Sequence, residues 1–315
     1  MRAATTPTSA MSKAAAKRRR PLLKFWDFYL MLIPALLFLL VFKYAPMYGV
    51  VIAFKDFNII QGVMKSPWVG LQHFRELFAF SEFPQVVRNT LIISLMKLVI
   101  GFPAPIIMAL LLNELRFALF KRTVQTITYL PHFISWVVIG GITVDLLSPN
   151  SGIVNMVIQS FGVKPIFFMT DEKLFRWILV LTDIWKEAGW GAIIYLAALL
   201  GINEELFQAA TVDGAGRMRQ IWHISLPGIR STIVVLLLLR LGNVLDVGFE
   251  QVLAMYNPTV YSVADIIDTY VFRVGLGTMQ FGLTTAAGLF KSVIGCILLI
   301  VANYIARRLG EDGIY

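Results

Sequence analysis

Six stretches of twenty or more largely apolar residues recur along the chain, near residues 28–50, 87–112, 124–147, 175–200, 229–250 and 284–306. A helix rises about 1.5 Å per residue, so roughly 20 apolar residues cross the hydrocarbon core of a bilayer. The pattern predicts an all-α membrane protein with six transmembrane helices and both ends on one side. Helix breakers interrupt it at Pro34, at Gly101-Phe102-Pro103-Ala104-Pro105 and at Pro131. In a bundle, neighbouring helices re-satisfy freed backbone groups, so these read as kinks rather than ends. Kinks that surround a cavity and kinks that only fit packed shapes stand level on this pattern.

A second periodicity lies between the last two spans. Val263, Ile266, Ile267, Tyr270, Val271 and Val274 recur at helical spacing, with Asp265, Asp268 and Arg273 on other faces. This predicts an amphipathic helix outside the spans, resting on the membrane interface rather than packed against the bundle.

Composition agrees with a lipid solvent: 57% of the 315 residues are hydrophobic, only 15% are charged, and mean hydropathy is +0.72. Disorder and a secreted disulfide scaffold are excluded, and the single cysteine, Cys296, has no internal partner. The net charge of +9 suggests nucleic acid only until its distribution is read. Seven of the 28 basic residues (Arg2, Lys13, Lys17, Arg18, Arg19, Arg20 and Lys24) lie in residues 1–26 with no acid, leaving 21 basic against 19 acidic residues. Residues 1–27 therefore read as a basic tail facing anionic lipid on the cytoplasmic side, not a nucleic-acid patch. A cleaved signal peptide fits less well, because Lys43-Tyr44-Ala45-Pro46-Met47 follows the first apolar run where small residues are needed. Arg116, Lys121 and Arg122, then Arg217 and Arg219, then Arg307 and Arg308 put positive charge on the same side. The expectation is cytoplasmic N- and C-termini, residues 307–315 forming the second tail of a multi-pass protein of the cytoplasmic (inner) membrane.

Eight ionisable residues fall at spanning depth, four of each sign: Lys97, Asp183, Lys186, Glu187, Arg240, Asp246, Glu250 and Lys291. All eight fall between the midplane and the outer end of their helices in this topology. Arg240, Asn243, Asp246 and Glu250 are spaced to share one face of the fifth span, a polar stripe lining or supporting a cavity. Four interhelical ion pairs explain the same balance. Trp136, Trp185, Trp190 and Trp177 add aromatic faces that can stack on sugar rings. Trp177 fits an interface anchor and Trp185 lies deeper. The pathway candidates are Trp136, Asp183, Trp185, Arg240, Asn243 and Asp246.

Between the fourth and fifth spans Asn203 is placed to cap a short helix, with Glu204 and Glu205 in its first turn and Gly214 and Gly216 at its end. Leu206, Phe207 and Ala210 on that helix have no evident reason to face water, which marks a docking element. In the same segment, Gln208-Ala209-Ala210, Gly214 and Ile224-Ser225-Leu226-Pro227 resemble the EAA loop of permease subunits of ATP-binding-cassette importers, with every interval kept. Gln208 stands where that family usually has glutamate. Lys43–Gly49, Tyr129–Trp136, Asp183–Glu187 and Tyr256-Asn257-Pro258 resemble the family's oligosaccharide and polysaccharide branch, which includes alginate and aldouronate importers.

The resemblance implies a type I importer fold and a second homologous permease. It implies two cytoplasmic ATPase subunits gripping loop 201–228 through Glu205, Leu206, Phe207, Gln208, Ala209, Ala210, Asp213, Gly214 and Pro227. It also implies an extracytoplasmic solute-binding protein delivering an oligosaccharide. No cofactor is expected on this chain, ATP and Mg²⁺ being used by the partner subunits. The alternatives are a secondary, ion-coupled transporter or a permease for a different small solute. A membrane enzyme is disfavoured, since His73, His132 and His223 fall on separate segments and no nucleophile motif or phosphate-binding glycine loop is present.

Overall fold

The computed structural model describes residues 26–308; the basic residues of the first tail up to Lys24, and residues 309–315 of the second, lie outside them. Among the described residues every extended element is a helix, and the sole ladder contact is an isolated antiparallel bridge between Lys55 and Trp68. The long helices are α1 (Trp26–Phe54), α2 (Glu82–Asn113), α3 (Ala118–Phe133) with α4 (Trp136–Leu147), α5 (Glu172–Leu200), α6 (Glu204–Val212), α7 (Arg217–Gly228) with α8 (Arg230–Gly242), then α9 (Phe249–Met255), α10 (Ile267–Gly277) and α11 (Phe281–Arg308). Among the described residues three helices (α1, α2 and α11) are long and apolar enough to cross a membrane unbroken, and up to six spans result if each bent pair counts as one.

The π turns along these helices have a common cause. Five-residue π turns at Leu40–Tyr44, Lys97–Gly101 and Ile221–Ser225 each end two residues before a proline: Pro46, Pro103 and Pro227. Proline carries no N–H, and its ring crowds the carbonyl four residues back, which in each case (Phe42, Val99, His223) belongs to the π turn. The helix absorbs the missing bond by widening rather than stopping.

Two expected spans are not continuous helices. The one at 124–147 turns by 104° after Phe133, where Pro131 sits in a 3₁₀ turn and Ser135 restarts the helix by accepting a hydrogen bond from Val138 N at 3.4 Å. The one at 229–250 ends at Gly242, with a 60° bend at its other end between α7 and α8. A left-handed Gly248 (φ +94°) separates α8 from α9, so the helical stripe through Arg240, Asn243, Asp246 and Glu250 does not form. Glycines at both ends of the segment, Gly242 and Gly248, supply the break. The helix expected to rest on the interface is also different. Ile267, Tyr270 and Val274 are buried against Phe83, Val86 and Ala286, and Ile266 against Ile93 and Phe175, so α10 packs into the bundle.

The centre is α5, which packs along α2 and α3. A Cβ on Gly189 would collide with the Thr128 backbone, and one on Gly191 would lie 3.0 Å from Pro105 Cβ. With Ala188 and Ala192 on the same helix, small residues let the spans approach closely where lipid gives no hydrophobic drive. By contrast, α1 has no residue of its apolar window buried, and presents that surface to lipid or to another subunit.

Candidate functional site

The π turn of α2 positions Lys97, only 4% exposed, at the junction of three spans. Its ammonium donates to Asp183 Oδ1 on α5 at 2.8 Å, to the Val247 carbonyl at 2.7 Å and to Gln251 Oε1 at 2.5 Å. Gln251 in turn donates to the Leu179 carbonyl at 2.7 Å and to Thr182 Oγ1 at 2.8 Å. The broken fifth span is thus tied to α2 and α5 by one buried cation. A Cβ on Gly248 would sit 3.4 Å from the Lys97 ammonium, so glycine serves both the left-handed turn and the approach. Arg240 lies 3.7 Å from the other Asp183 oxygen, beyond hydrogen-bond reach, with 47% of its side chain exposed. It borders a cleft of about 280 Å³ that Asp183, Glu187, Trp190 and Tyr195 also line.

A second cation fastens the bend between α3 and α4. Lys186 donates to the carbonyls of His132 at 2.5 Å, Ile134 at 2.6 Å and Pro131 at 3.3 Å, and lies 5.4 Å from the Trp136 ring centre. The Pro131 carbonyl also accepts from Ile134 N at 3.1 Å, and the cation thus braces the turn at which the regular helical bonding is interrupted. His132 then contacts Glu187 at 2.9 Å through Nδ1 and stacks flat on Trp190, 4.5 Å between centres and 3° between planes.

Of the six pathway candidates, the structure brings Asp183 and Arg240 together. Trp136 packs on Lys186. Trp185 lines a different groove, about 440 Å³, with Ile142, Leu146 and Phe168. Asn243 closes α8, its side chain donating to the Leu239 carbonyl at 3.2 Å. Asp246 joins Lys291 at 2.5 Å, which also holds Asp268 at 2.8 Å, beside a cavity of about 640 Å³. Lys97, Glu187 and Trp190 belong with Asp183 and were outside that choice; the i, i+4 and i+7 spacing of 183, 187 and 190 is the signal that pointed to them. Among the described residues no group of three His, Cys, Asp or Glu could hold a metal ion.

Beyond the spans, Asp265 is buried, accepting from Thr269 Oγ1 and from Arg273, each at 2.6 Å, and Arg273 also reaches Glu82 at 2.6 Å. Burial pushes the Asp265 carboxyl above its ordinary range despite those donors.

The loop helix α6 follows α5 at a 73° bend. Asn203 caps it, its Oδ1 accepting from Glu205 N at 3.0 Å. Gly214 takes φ +75°, and Gln220 then donates to Thr211 Oγ1 at 3.0 Å and to the Ala215 carbonyl at 3.2 Å, folding the loop back on itself. Glu205, Leu206, Gln208, Ala209, Asp213, Gly214 and Pro227 are exposed, Phe207 and Ala210 half-buried. Val212, 88% exposed, and Trp222, 63% exposed, join Leu206 and Met218 in uncovered apolar surface.

Residues 101–311 match the family described as binding-protein-dependent transport system inner membrane component, and the chain belongs to that family. It is a multi-pass inner-membrane permease of the ATP-binding-cassette importer class that the loop motif resembles, and of the carbohydrate-importing kind. It is 48% identical over 302 residues to the polygalacturonan/rhamnogalacturonan transport system permease protein YteP of Bacillus subtilis (strain 168), covering 95% of this chain and 94% of that one. Protein LplB of the same organism is 49% identical over 287 residues, 91% of this chain and 90% of that protein. Its fold is similar to that of a chain in a crystallised bacterial ABC transporter involved in the import of the acidic polysaccharide alginate. The two align with a TM-score of 0.85 at 42% identity, over 91% of this chain and 97% of that chain. A chain of a bacterial alginate ABC transporter in complex with alginate pentasaccharide-bound periplasmic protein aligns with a TM-score of 0.86 at 41% identity, over 93% and 98%.

Proposed function

We infer that this permease forms one half of the translocation pathway for an oligosaccharide or polysaccharide fragment, the other half being a homologous permease. A solute-binding protein delivers the sugar from outside, and two ATPase subunits drive alternating access by gripping loop 201–228 on the cytoplasmic side. ATP and Mg²⁺ are used there and no cofactor is held by this chain. Both termini are cytoplasmic, and residues 28–306 form six spans.

The observation that carries this reading is the capped helix α6 with its uncovered Leu206 and Val212, joined by uncovered Met218 and Trp222 on α7, at the end of the helix that also carries Asp183. A docking surface joined directly to the helix that carries a charged cleft is what a coupled importer needs. The similarity to permeases named for polygalacturonan, rhamnogalacturonan and alginate supports a carbohydrate substrate. An ion-coupled transporter has no use for the exposed loop surface.

The test is purification through a tag on this chain. A second permease, an ATPase and a solute-binding protein should be retained together, and ATP hydrolysis should rise when the binding protein carries an oligosaccharide. A chain that purifies without ATPase, or whose transport follows an ion gradient and ignores ATP, overturns it.

A further inference from the structure

We propose that Arg240 reads a sugar carboxylate in the membrane pathway, so that the permease itself selects a uronate oligosaccharide over a neutral one. The proposal rests on the importer reading above and names the substrate class of its cleft. Among the described residues Asp183 is the carboxylate paired with Arg240 within 4 Å, and Lys97 already satisfies it at 2.8 Å from within the buried junction. Arg240, at 3.7 Å and half in the open, is therefore a cation whose departure leaves no charge behind uncompensated. The other carboxylate lining the cleft, Glu187, is engaged by His132 at 2.9 Å.

Ligand geometry fits as well. A guanidinium presents a planar fork that matches a carboxylate through two parallel hydrogen bonds, stronger than neutral ones. In the same cleft Trp190 is backed by His132, stacked at 4.5 Å, which holds the indole rigid while it remains partly open to the cleft. An aromatic plate for the ring and a fork for its charged substituent are the two contacts a uronate residue offers. A neutral sugar would meet the plate but leave the fork without an anion, and discrimination is sharpest where a site's polar group is left unpaired by the wrong ligand.

The experiment uses the native complex isolated through this chain and reconstituted in vesicles, with tri-galacturonate and its methyl ester as probes. Uptake is normalised to the measured occupancy of the binding protein, which removes selectivity exercised outside the membrane. The wild type should favour the acid by about tenfold, the scale of a charge-assisted pair. Arg240→Gln should bring the two probes to within about twofold, and Arg240→Lys, which keeps the charge but loses the fork, should fall between. Because Lys97 alone neutralises Asp183, both variants are expected to assemble, and Arg240→Lys carries the test if Arg240→Gln does not. If the complex moves both probes and Arg240→Gln leaves their ratio unchanged, the assignment of Arg240 fails and the importer reading stands. If the wild-type complex moves neither probe nor any other oligosaccharide under ATP, the importer reading itself fails.

Discussion

Lys97→Met removes the knot of the bundle while keeping its volume close. Three buried acceptors lose their donor: Asp183 Oδ1, the Val247 carbonyl and Gln251 Oε1. Breaking one side of a buried ion pair costs about 3–5 kcal/mol, because the remaining charge is stranded in low dielectric. Each stranded neutral acceptor adds about 1–3 kcal/mol. Against this, Arg240 needs to move less than an ångström from 3.7 Å to bond Asp183, which restores part of the charge compensation. The net loss is on the order of 4 kcal/mol, enough to unfold a marginal membrane domain. The assay is thermal: the fraction of purified complex that stays monodisperse after heating, for Lys97→Met, Asp183→Asn and the double variant. The double variant should recover much of the loss, since it strands no charge. An unchanged midpoint for Lys97→Met, or a double variant no better than the single, would refute the argument that a buried charge pair holds the fifth span in place.

The remaining predictions are narrower. Gly248→Ala forces a side chain to φ +94° beside the Lys97 ammonium, and should cost about 1–3 kcal/mol and lower the yield of assembled complex without changing where the chain inserts. In loop 201–228, Phe207→Ala should weaken retention of the ATPase subunit on a tagged complex. Gly214→Asp, placed at φ +75° with open space around it, should permit assembly but uncouple hydrolysis from uptake. Full retention and full coupling in both would show that the loop is not the transmission element. Asp265 supplies a pH test. Burial raises its carboxyl above the ordinary 3.8, so the folded chain holds the proton more tightly than the unfolded one. Its contribution then favours folding at low pH and is lost as pH climbs through the raised value. Thermal midpoints of Asp265→Asn should therefore vary less over that window than those of the wild type, and identical pH profiles would sink the idea.

Most of the helical architecture is legible in the apolar runs, because length and hydropathy alone decide what lipid tolerates. The cap at Asn203 and the glycine at Gly214 are legible too, since their chemistry is local. What stays hidden depends on packing. Lys97 and Asp183 are 86 positions apart, and nothing short of the interhelical register brings their atoms within 2.8 Å. The end of α8 at Gly242 is invisible to a periodicity argument, which extends a face for as long as the residues suit it; the flanking glycines were the available sign. The choice between Trp185 and Trp190 is a matter of how α5 is rotated, and that rotation is set by the small residues from Ala188 to Ala192 meeting Thr128 and Pro105. Burial of α10 likewise depends on what α2 and α11 present to it.

The unbroken run of α5 has a mechanical consequence. Its neighbours on either side are bent, yet its 29 residues form one continuous helix with Asp183 near its middle and the loop helix at its end. Seventeen residue steps separate Asp183 from Leu200, about 25 Å at ~1.5 Å per residue. If the close packing around Gly189 and Gly191 serves as a fulcrum, Asp183 lies ~10 Å along the helix from it, and a 5° tilt imposed at the loop moves Asp183 by about 1 Å. That stroke is comparable to the gap by which Arg240, at 3.7 Å, misses hydrogen-bond distance to Asp183. A small rocking of one lever could therefore make or break the charged contact in the cleft without any helix having to unwind.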